Sequence, residues 1–186
     1  EARLLGLPGL DPEKSTNITV GLGMRPSNNF SVTLDYYQIA VKDRIILSTE
    51  IGATDAGNTP LDKIIAENNL SDLSFFVNAL DTKTSGIDFV ANYRNVNAGS
   101  GKLAFNLSGN YTLTNERDGN VKNPKLVQEA GQSVANLTQE ALFFTSRPQY
   151  KAIFGIDYEL GKFIFSLNNT LFGPTTFRQQ GLDAGI

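Results

Sequence analysis

Four acidic side chains have a spacing that could support acid–base chemistry. Asp35 and Asp88 lie in separate alternating segments, and Asp157 and Glu159 lie two residues apart in a third. Paired carboxylates can act as general acid and general base. The 186 residues include no His and no Cys, which excludes a Ser-His-Asp triad, His-based zinc sites and thiolate chemistry. All four carboxylates fall on the polar side of their segments, so a wet surface explains them better than catalysis.

Other motifs carry weaker chemical signals. Asp118-Gly119-Asn120 could offer oxygen ligands to Ca²⁺, although such a triplet is also typical of a turn. The N-x-S/T triplets that begin at Asn17, Asn29, Asn69, Asn106, Asn110 and Asn136 are interpreted as products of polar alternation rather than glycosylation sites. Gly21, Gly23 and Gly109 lack the strand-to-helix junction of a phosphate-binding loop. The motifs therefore identify no catalytic, metal, cofactor or ligand-binding residue.

The composition sets further limits on function. The formal net charge of −3 does not provide the clustered basic surface that nucleic-acid binding needs. The sequence also has no apolar run of about 20 residues, the length of a transmembrane helix.

Six segments alternate with period two, the pattern of β-strands whose two faces meet different surroundings. In residues 103–113, one face is apolar or small throughout and the interleaved residues are polar or small. The apolar positions that alternate within these segments include no Asp, Glu, Lys or Arg, although 19% of the chain is charged. The predicted strands are Lys14–Arg25, Phe30–Leu47, Phe75–Arg94, Lys102–Thr114, Gln149–Leu160 and Phe163–Gly173.

The second of these strands changes its apolar parity part-way along. Val32, Leu34 and Tyr36 share one face, whereas Ile39 and Val41 have the opposite parity. Either a bulge near Tyr36–Tyr37 or a passage out of a membrane would explain this change.

The connections alternate in length. Residues 26–29, 95–101 and 161–162 form short turns, whereas 48–74 and 115–147 are long and are expected to contain short helices at about 60–70 and 124–143. In an up-and-down sheet, every short turn then lies at one end, as in outer-membrane barrels. The sequence therefore predicts an all-β antiparallel up-and-down meander, about six strands of an outer-membrane β-barrel, with short helices in long loops.

Other residues fit this interpretation. Lys or Arg on a lipid-facing barrel position costs about 2–4 kcal/mol at the bilayer midplane, which accounts for the uncharged faces. Arg25 and Arg94 lie beside short turns, where positive charge at a membrane edge is ordinary. Candidates for interfacial aromatic girdles are Tyr36, Tyr37, Tyr93, Tyr111, Tyr150 and Tyr158.

A soluble antiparallel β module for adhesion or glycan binding is the alternative. It would bury the same uncharged faces in a sandwich core. The loop asymmetry favours the barrel, because a sandwich has no reason to place every short turn at one end.

The chain resembles the C-terminal part of the barrel of TonB-dependent outer-membrane receptors. The most specific stretches are Glu13-Lys14-Ser15, the run from Asp35-Tyr36-Tyr37 to Asp43-Arg44-Ile45, and the run from Asn78-Ala79 to Thr84-Ser85-Gly86-Ile87-Asp88. The similarity also covers PGLDPEKSTNITVGLGMRP at 8–26, LAFNLSGNYTLTNE at 103–116 and FSLNNTLFGP at 165–174.

The resemblance implies a transport protein of the cell outer membrane and not an enzyme. Such receptors take up a scarce nutrient, namely a metal chelate, cobalamin or a glycan, through a barrel of roughly 22 strands plugged by an N-terminal domain. The implied partners are outer-membrane lipid, an extracellular nutrient ligand and a TonB-type energy-coupling protein. The two long loops would help to gate the barrel or recognise the ligand.

Residues 1–186 are expected to be a fragment of such a barrel. They contain no plug domain and no N-terminal box for the energy-coupling partner, and residues 180–186 do not form a closing strand with a final aromatic residue. Six strands cannot close a barrel of this kind, and open strand edges are not tolerated in lipid. Alone, the fragment is expected to self-associate.

Overall fold

A computed structural model describes residues 9–178 and shows one antiparallel meander. Its six strands pair in the order β1-β2-β5-β6-β7-β8, and β3 and β4 form a separate two-stranded sheet. The strands are β1 Lys14–Ser27, β2 Phe30–Leu47, β3 Ile51–Gly52, β4 Asp72–Leu73, β5 Phe76–Ala98, β6 Gly101–Arg117, β7 Tyr150–Leu160 and β8 Phe163–Phe172. The helices are α1 Pro60–Glu67, α2 Lys125–Glu129 and α3 Leu137–Glu140, and α3 continues into a π-helical turn at Ala141–Thr145.

The structure confirms the predicted fold class and the alternation of loop lengths. The turns at 28–29 and 99–100 are tighter than expected, and the turn at 161–162 has the predicted bounds. Gly99 and Gly161 adopt φ values of 59° and 60°, a conformation that glycine adopts without strain. The long connections, residues 48–75 and 118–149, lie together at the opposite end of the sheet. Residues 180–186, expected not to form a strand, lie outside the described residues.

The predicted bulge near Tyr36–Tyr37 is wrong. Both tyrosines keep an unbroken register with β1 and with β5. The register with β5 is irregular instead between Val41 and Ile45, where Asp43 has φ 57°. The parity change at Ile39 therefore has no backbone cause in this pairing, and passage of the strand out of a membrane stays a prediction.

The two faces of the sheet differ in chemistry. The apolar face carries Ile18, Leu34, Ile87, Leu107 and Phe154, and the polar face carries Asn17, Asp35, Asp88, Asn110 and Asp157, as the cross-strand register shows.

The apolar face is uncovered along the described residues. Val20 is 66% exposed and Leu167 is 66% exposed. The sandwich alternative requires a second sheet over this face, but the only other sheet among residues 9–178 is the β3–β4 pair in the long connections. Residues 9–178 therefore do not by themselves form the sandwich core that this alternative requires.

The buried core lies between the two long connections and the strand ends that they join. We call residues 48–75 together with 118–149 the cap. Its fully buried side chains include Ile51, Leu61, Leu73, Val127 and Val134, and Leu80 of β5 packs in the same core. The two loops thus fold against each other as one unit. None of the helices among residues 9–178 has the length and apolar character needed to cross a membrane.

Candidate ligand-binding site

The predicted carboxylates lie on the polar face in two groups. Asp35 and Asp88 are direct cross-strand partners, and Asn110 on β6 is the next residue in the same row. The Asn110 Nδ2 donates to Asp88 Oδ1 at 2.7 Å. Asp157 lies on β7 and accepts from Ser166 Oγ at 2.6 Å. Asp88 and Asp157 therefore each accept a hydrogen bond from a neutral side chain of the polar face, as expected for a wet surface.

Tyr37 belongs to the polar face, so its assignment to an aromatic girdle is wrong. Its ring lies across Gly86, where a Cβ atom would collide with the phenol. Its Oη accepts from Asn110 Nδ2 at 3.1 Å. Because Gly86 has no side chain, the Tyr37 ring can lie flat against the sheet on its polar face.

The other five tyrosines lie on the apolar face near its two ends. Tyr36, Tyr111 and Tyr150 fall in one cross-strand row, and the Tyr111 and Tyr150 rings stack 6.5 Å apart. Toward the short turns, the Tyr93 ring meets Phe30 edge-on at 6.1 Å. Amphipathic rings in two separate groups are typical of the two interfaces of a membrane barrel.

The cap is held together by hydrogen bonds between its two loops. Thr49 N donates to Val134 O at 2.9 Å. Gln132 Nε2 donates to Gly52 O at 2.7 Å. These bonds accompany the shared core of Leu61, Val127 and Val134, so neither loop is positioned independently of the other.

Helix α1 begins with a capping box, which confirms the helix start predicted at Thr59-Pro60. The Thr59 side chain accepts from the Asp62 backbone N at 3.2 Å, and Asp62 Oδ2 accepts from the Thr59 backbone N at 2.7 Å. Asp62 Oδ1 also accepts from Thr54 N at 2.6 Å. The Thr54 amide, followed by the Thr59 donors, holds the pKa of Asp62 well below its ordinary value despite burial.

A lysine ties the second loop to the irregular part of β2. Lys122 Nζ lies 2.8 Å from Asp43 Oδ1 and 2.6 Å from Asp81 Oδ1. Hydrogen bonds to these carboxylates raise the pKa of Lys122. Asp81 also accepts from the Asp43 backbone N at 2.8 Å, so the carboxylates and the lysine together stabilise the left-handed conformation of Asp43.

A cleft of about 810 Å³ lies where the polar face meets the cap. Tyr37, Thr84 and Thr112 line its wall on the sheet. The second loop contributes Phe143, Phe144, Thr145 and Arg147, and the end of β2 contributes Arg44. Its other lining residues are Glu13, Ile45, Leu113, Asn115, Pro148, Gln149, Pro174 and Thr176.

Specific contacts hold the loop side of the cleft. Asn115 Nδ2 donates to the carbonyls of Phe143 and Phe144, both at 3.1 Å. The Arg44 guanidinium lies over the Phe143 ring, 5.9 Å from its centroid. Arg117 forms an ion pair with Glu140 beneath the same turn. The cleft therefore presents guanidinium, aromatic and hydroxyl groups whose positions are fixed by these contacts. Such an arrangement is suited to binding a ligand.

The two predicted loop helices differ in their relation to this cleft. The helix near 60–70 directs Leu61 and Ile65 into the cap core, and its residues do not line the cleft. The helical region near 124–143 reaches the cleft only at its end, at Phe143. Sequence reasoning did not single out Arg44 or Arg147. Arg147 lies in the loop three residues before β7, and no short-range sequence pattern marked either arginine.

The Asp118-Gly119-Asn120 triplet forms a turn. Gly119 has φ 91°, and its carbonyl accepts from Arg117 Nε at 2.8 Å. Among residues 9–178, no group of three or more His, Cys, Asp or Glu side chains is placed to hold a metal ion.

Comparison with known proteins gives the family. The chain matches the family model for TonB dependent receptor-like, beta-barrel, over residues 2–183. It belongs to the TonB-dependent receptor β-barrel family. Neither a curated protein nor a solved structure gave a significant match. TonB-dependent receptors are outer-membrane receptors and transporters, which agrees with the uncovered apolar face and the asymmetric loops.

Proposed function

We propose that this chain is a section of the barrel wall of a TonB-dependent receptor that takes up a metal chelate, cobalamin or a glycan across the outer membrane. The observation that carries the proposal is the cleft between the polar face and the folded cap. In outer-membrane barrels the longer loops are extracellular. The cleft is then open to ligand arriving from outside the cell.

The lining of the cleft suggests how a ligand is held. Arg44 and Arg147 supply positive charge, and Phe143 and Tyr37 supply aromatic surface. Guanidinium groups form bidentate hydrogen bonds with carboxylates and phosphates, and they stack on flat rings. We therefore favour a ligand that combines anionic groups with a flat apolar part.

We also propose that the barrel contains more strands than this chain provides. Both outer strands, β1 and β8, have one edge without a strand partner among the described residues. Open edges are not stable in lipid, so further strands of the same receptor would pair with them. The plug and the segment that contacts the TonB-type protein would lie in other parts of the receptor.

Uptake by the complete receptor tests the proposal. Cells lacking the receptor would be given wild-type receptor, Arg44→Ala or Phe143→Ala and offered ferric chelates, cobalamin or oligosaccharides singly. We expect one class to be taken up by the wild type and its affinity to fall about tenfold in each variant, equivalent to about 1.4 kcal/mol.

Leu142→Ala is the matched control, because Leu142 neighbours Phe143 but is 52% exposed and does not line the cleft. Outer-membrane levels and heat-modifiable gel mobility would establish that all variants fold. Uptake unchanged in both cleft variants would refute the binding role of the cleft. Uptake of none of the three ligand classes would refute the transport proposal as stated.

A further inference from the structure

The apolar face changes character at the end that carries the long loops. Lys14 on β1 is the direct cross-strand partner of Lys42 on β2, and Lys83 on β5 is the partner of Ala40. The register is unbroken from these positions to Ile18, Tyr36 and Ile87, so the three lysines belong to the apolar face. The uncharged pattern predicted from sequence therefore stops before this end of the sheet.

The opposite end of the apolar face lacks such charges within the described strands. Near the short turns it ends in aromatic and aliphatic side chains, among them Phe30, Tyr93, Tyr158 and Phe163. Arg25 and Arg94 lie at that end but have the parity of the polar face. The outward-facing cations are therefore confined to one side of the membrane.

The position of Lys42 matches the upper boundary of a bilayer. At about 3.3 Å per residue and a tilt of about 40°, the distance in height from Phe30 to Lys42 is about 30 Å. The apolar band of an outer-membrane barrel is about 25 Å tall. With Phe30 at the lower interface, Lys42 reaches the level of the opposite headgroups.

The three lysines form a cluster that acidic side chains offset only in part, because the charge of Lys42 contributes, after the hydrogen bond from Lys122, to the lowered pKa of Asp81. Like charges directly opposite each other on a sheet are destabilising, as at Lys14 and Lys42. No ion pair to Lys14, Lys42 or Lys83 occurs among residues 9–178. Asp43 and Asp81, the carboxylates near Lys42, are bound by Lys122. Glu116, the partner of Lys83, is the single acidic side chain facing the cluster from β6.

We propose that Lys14, Lys42 and Lys83 form a binding site for the phosphate groups of outer-leaflet lipid. An ammonium group is a compact charge that attracts phosphate, and basic residues beside an apolar membrane surface bind anionic headgroups. The acyl chains of the same lipid would lie against Ile18, Val20 and Tyr36 just below. This inference depends on the proposed barrel orientation and does not depend on the nutrient.

Lipid binding by the complete receptor tests the site. Wild-type receptor in a nonionic detergent would be incubated with phosphatidic acid, with phosphatidylcholine of the same chain length, or with inorganic phosphate, and bound molecules counted by native mass spectrometry. We expect retention of phosphatidic acid over phosphatidylcholine, and a fall of about fivefold or more in K14Q/K42Q/K83Q.

The control is K63Q/K125Q/K162Q, which removes the same charge from two cap positions and one short turn. It should retain phosphatidic acid like the wild type. The proposal would be overturned if K14Q/K42Q/K83Q retained as much phosphatidic acid as the wild type, or if both triple variants lost it to the same extent. Displacement of the lipid by equimolar inorganic phosphate would also overturn it, because the site would then bind free anion. The assay contains no nutrient. A failure of lipid binding would therefore refute the lysine site alone, whereas a failure of uptake would refute the proposed transport function.

Discussion

At the scale of single residues, the start of α1 is the best-defined local interaction in the cap. Removing the Thr59 hydroxyl leaves the Asp62 amide without its capping acceptor. Thr59→Ala should destabilise the first turn of α1 by about 1 kcal/mol, the usual loss for a Thr cap. Hydrogen exchange of residues 60–67 measures this, with Lys63→Ala at an exposed position of the same helix as control. Equal exchange in both variants would contradict the capping role.

The lowered pKa of Asp62 predicts how this part of the cap responds to acid. A carboxylate with a lowered pKa in the folded state stabilises that state above its unfolded pKa, near 3.8, and this contribution is lost as the pH falls below that value. Protection of the Thr54 amide, corrected for intrinsic exchange, should therefore be constant from about pH 7 to 5 and decrease below about pH 4. Asp62→Asn should remove this pH dependence; a variant that keeps it would exclude Asp62 as the titrating group.

Residues with local partners were predictable from sequence, and those with distant partners were not. Thr59 and Pro60 indicate a helix start because the partner, Asp62, lies within the same turn. The contact between Arg44 and Phe143 requires the irregular backbone at Asp43 and the folding of the second loop onto the sheet. No short-range pattern encodes that geometry, so the cleft could be found only in the structure.

At the scale of elements, the cap depends on its own hydrophobic core. Leu61 is fully buried among residues from both loops. Leu61→Ala should destabilise the cap by about 2–5 kcal/mol, the usual range for a buried leucine. Protease cleavage within residues 48–75 and 118–149 should increase, and the heat-modifiable mobility of the barrel should not change. Leu142→Ala, at an exposed position, is the control. Loss of barrel mobility would show that the cap is not a separate unit.

The strands themselves offer a matched pair of substitutions on opposite faces. Val20 lies on the apolar face at 66% exposure, and Thr19 beside it lies on the polar face. Val20→Lys should destabilise the complete receptor in vesicles by about 2–4 kcal/mol, because it places charge in lipid. Thr19→Lys should change stability little. Urea titration of the vesicle-bound receptor measures both, and similar losses would mean that Val20 does not face lipid.

The strand pattern predicted six elements correctly because period-two alternation is a local property. It did not predict where the apolar face ends. Along β2 the apolar residues change parity at Ile39, although the backbone register continues. The sequence alone therefore did not show on which face of the sheet Ile39 and Lys42 lie. Pairing with Lys14 and proximity to Lys83 settle the position of Lys42.

At the scale of the whole molecule, the two open edges predict the behaviour of the isolated segment. Among residues 9–178, one edge of β1 and one edge of β8 have no strand partner, and the apolar side chains beside them are exposed. Residues 1–186 produced alone should therefore self-associate in mild detergent, whereas the complete receptor should not. Sedimentation velocity of both proteins at equal concentration distinguishes these states. A monomeric segment would contradict the role of the edges.

The shared core of the cap has a consequence for changing the specificity of such a receptor. Thr49 and Val134 are hydrogen-bonded across the two loops, and Leu61 packs in the same core as Val127. A transplant of residues 48–75 alone would leave the second loop without its packing partners, and its Phe143 would no longer be held over the cleft. The two loops therefore form one structural unit, and a change of specificity by loop exchange requires both loops to be transplanted together.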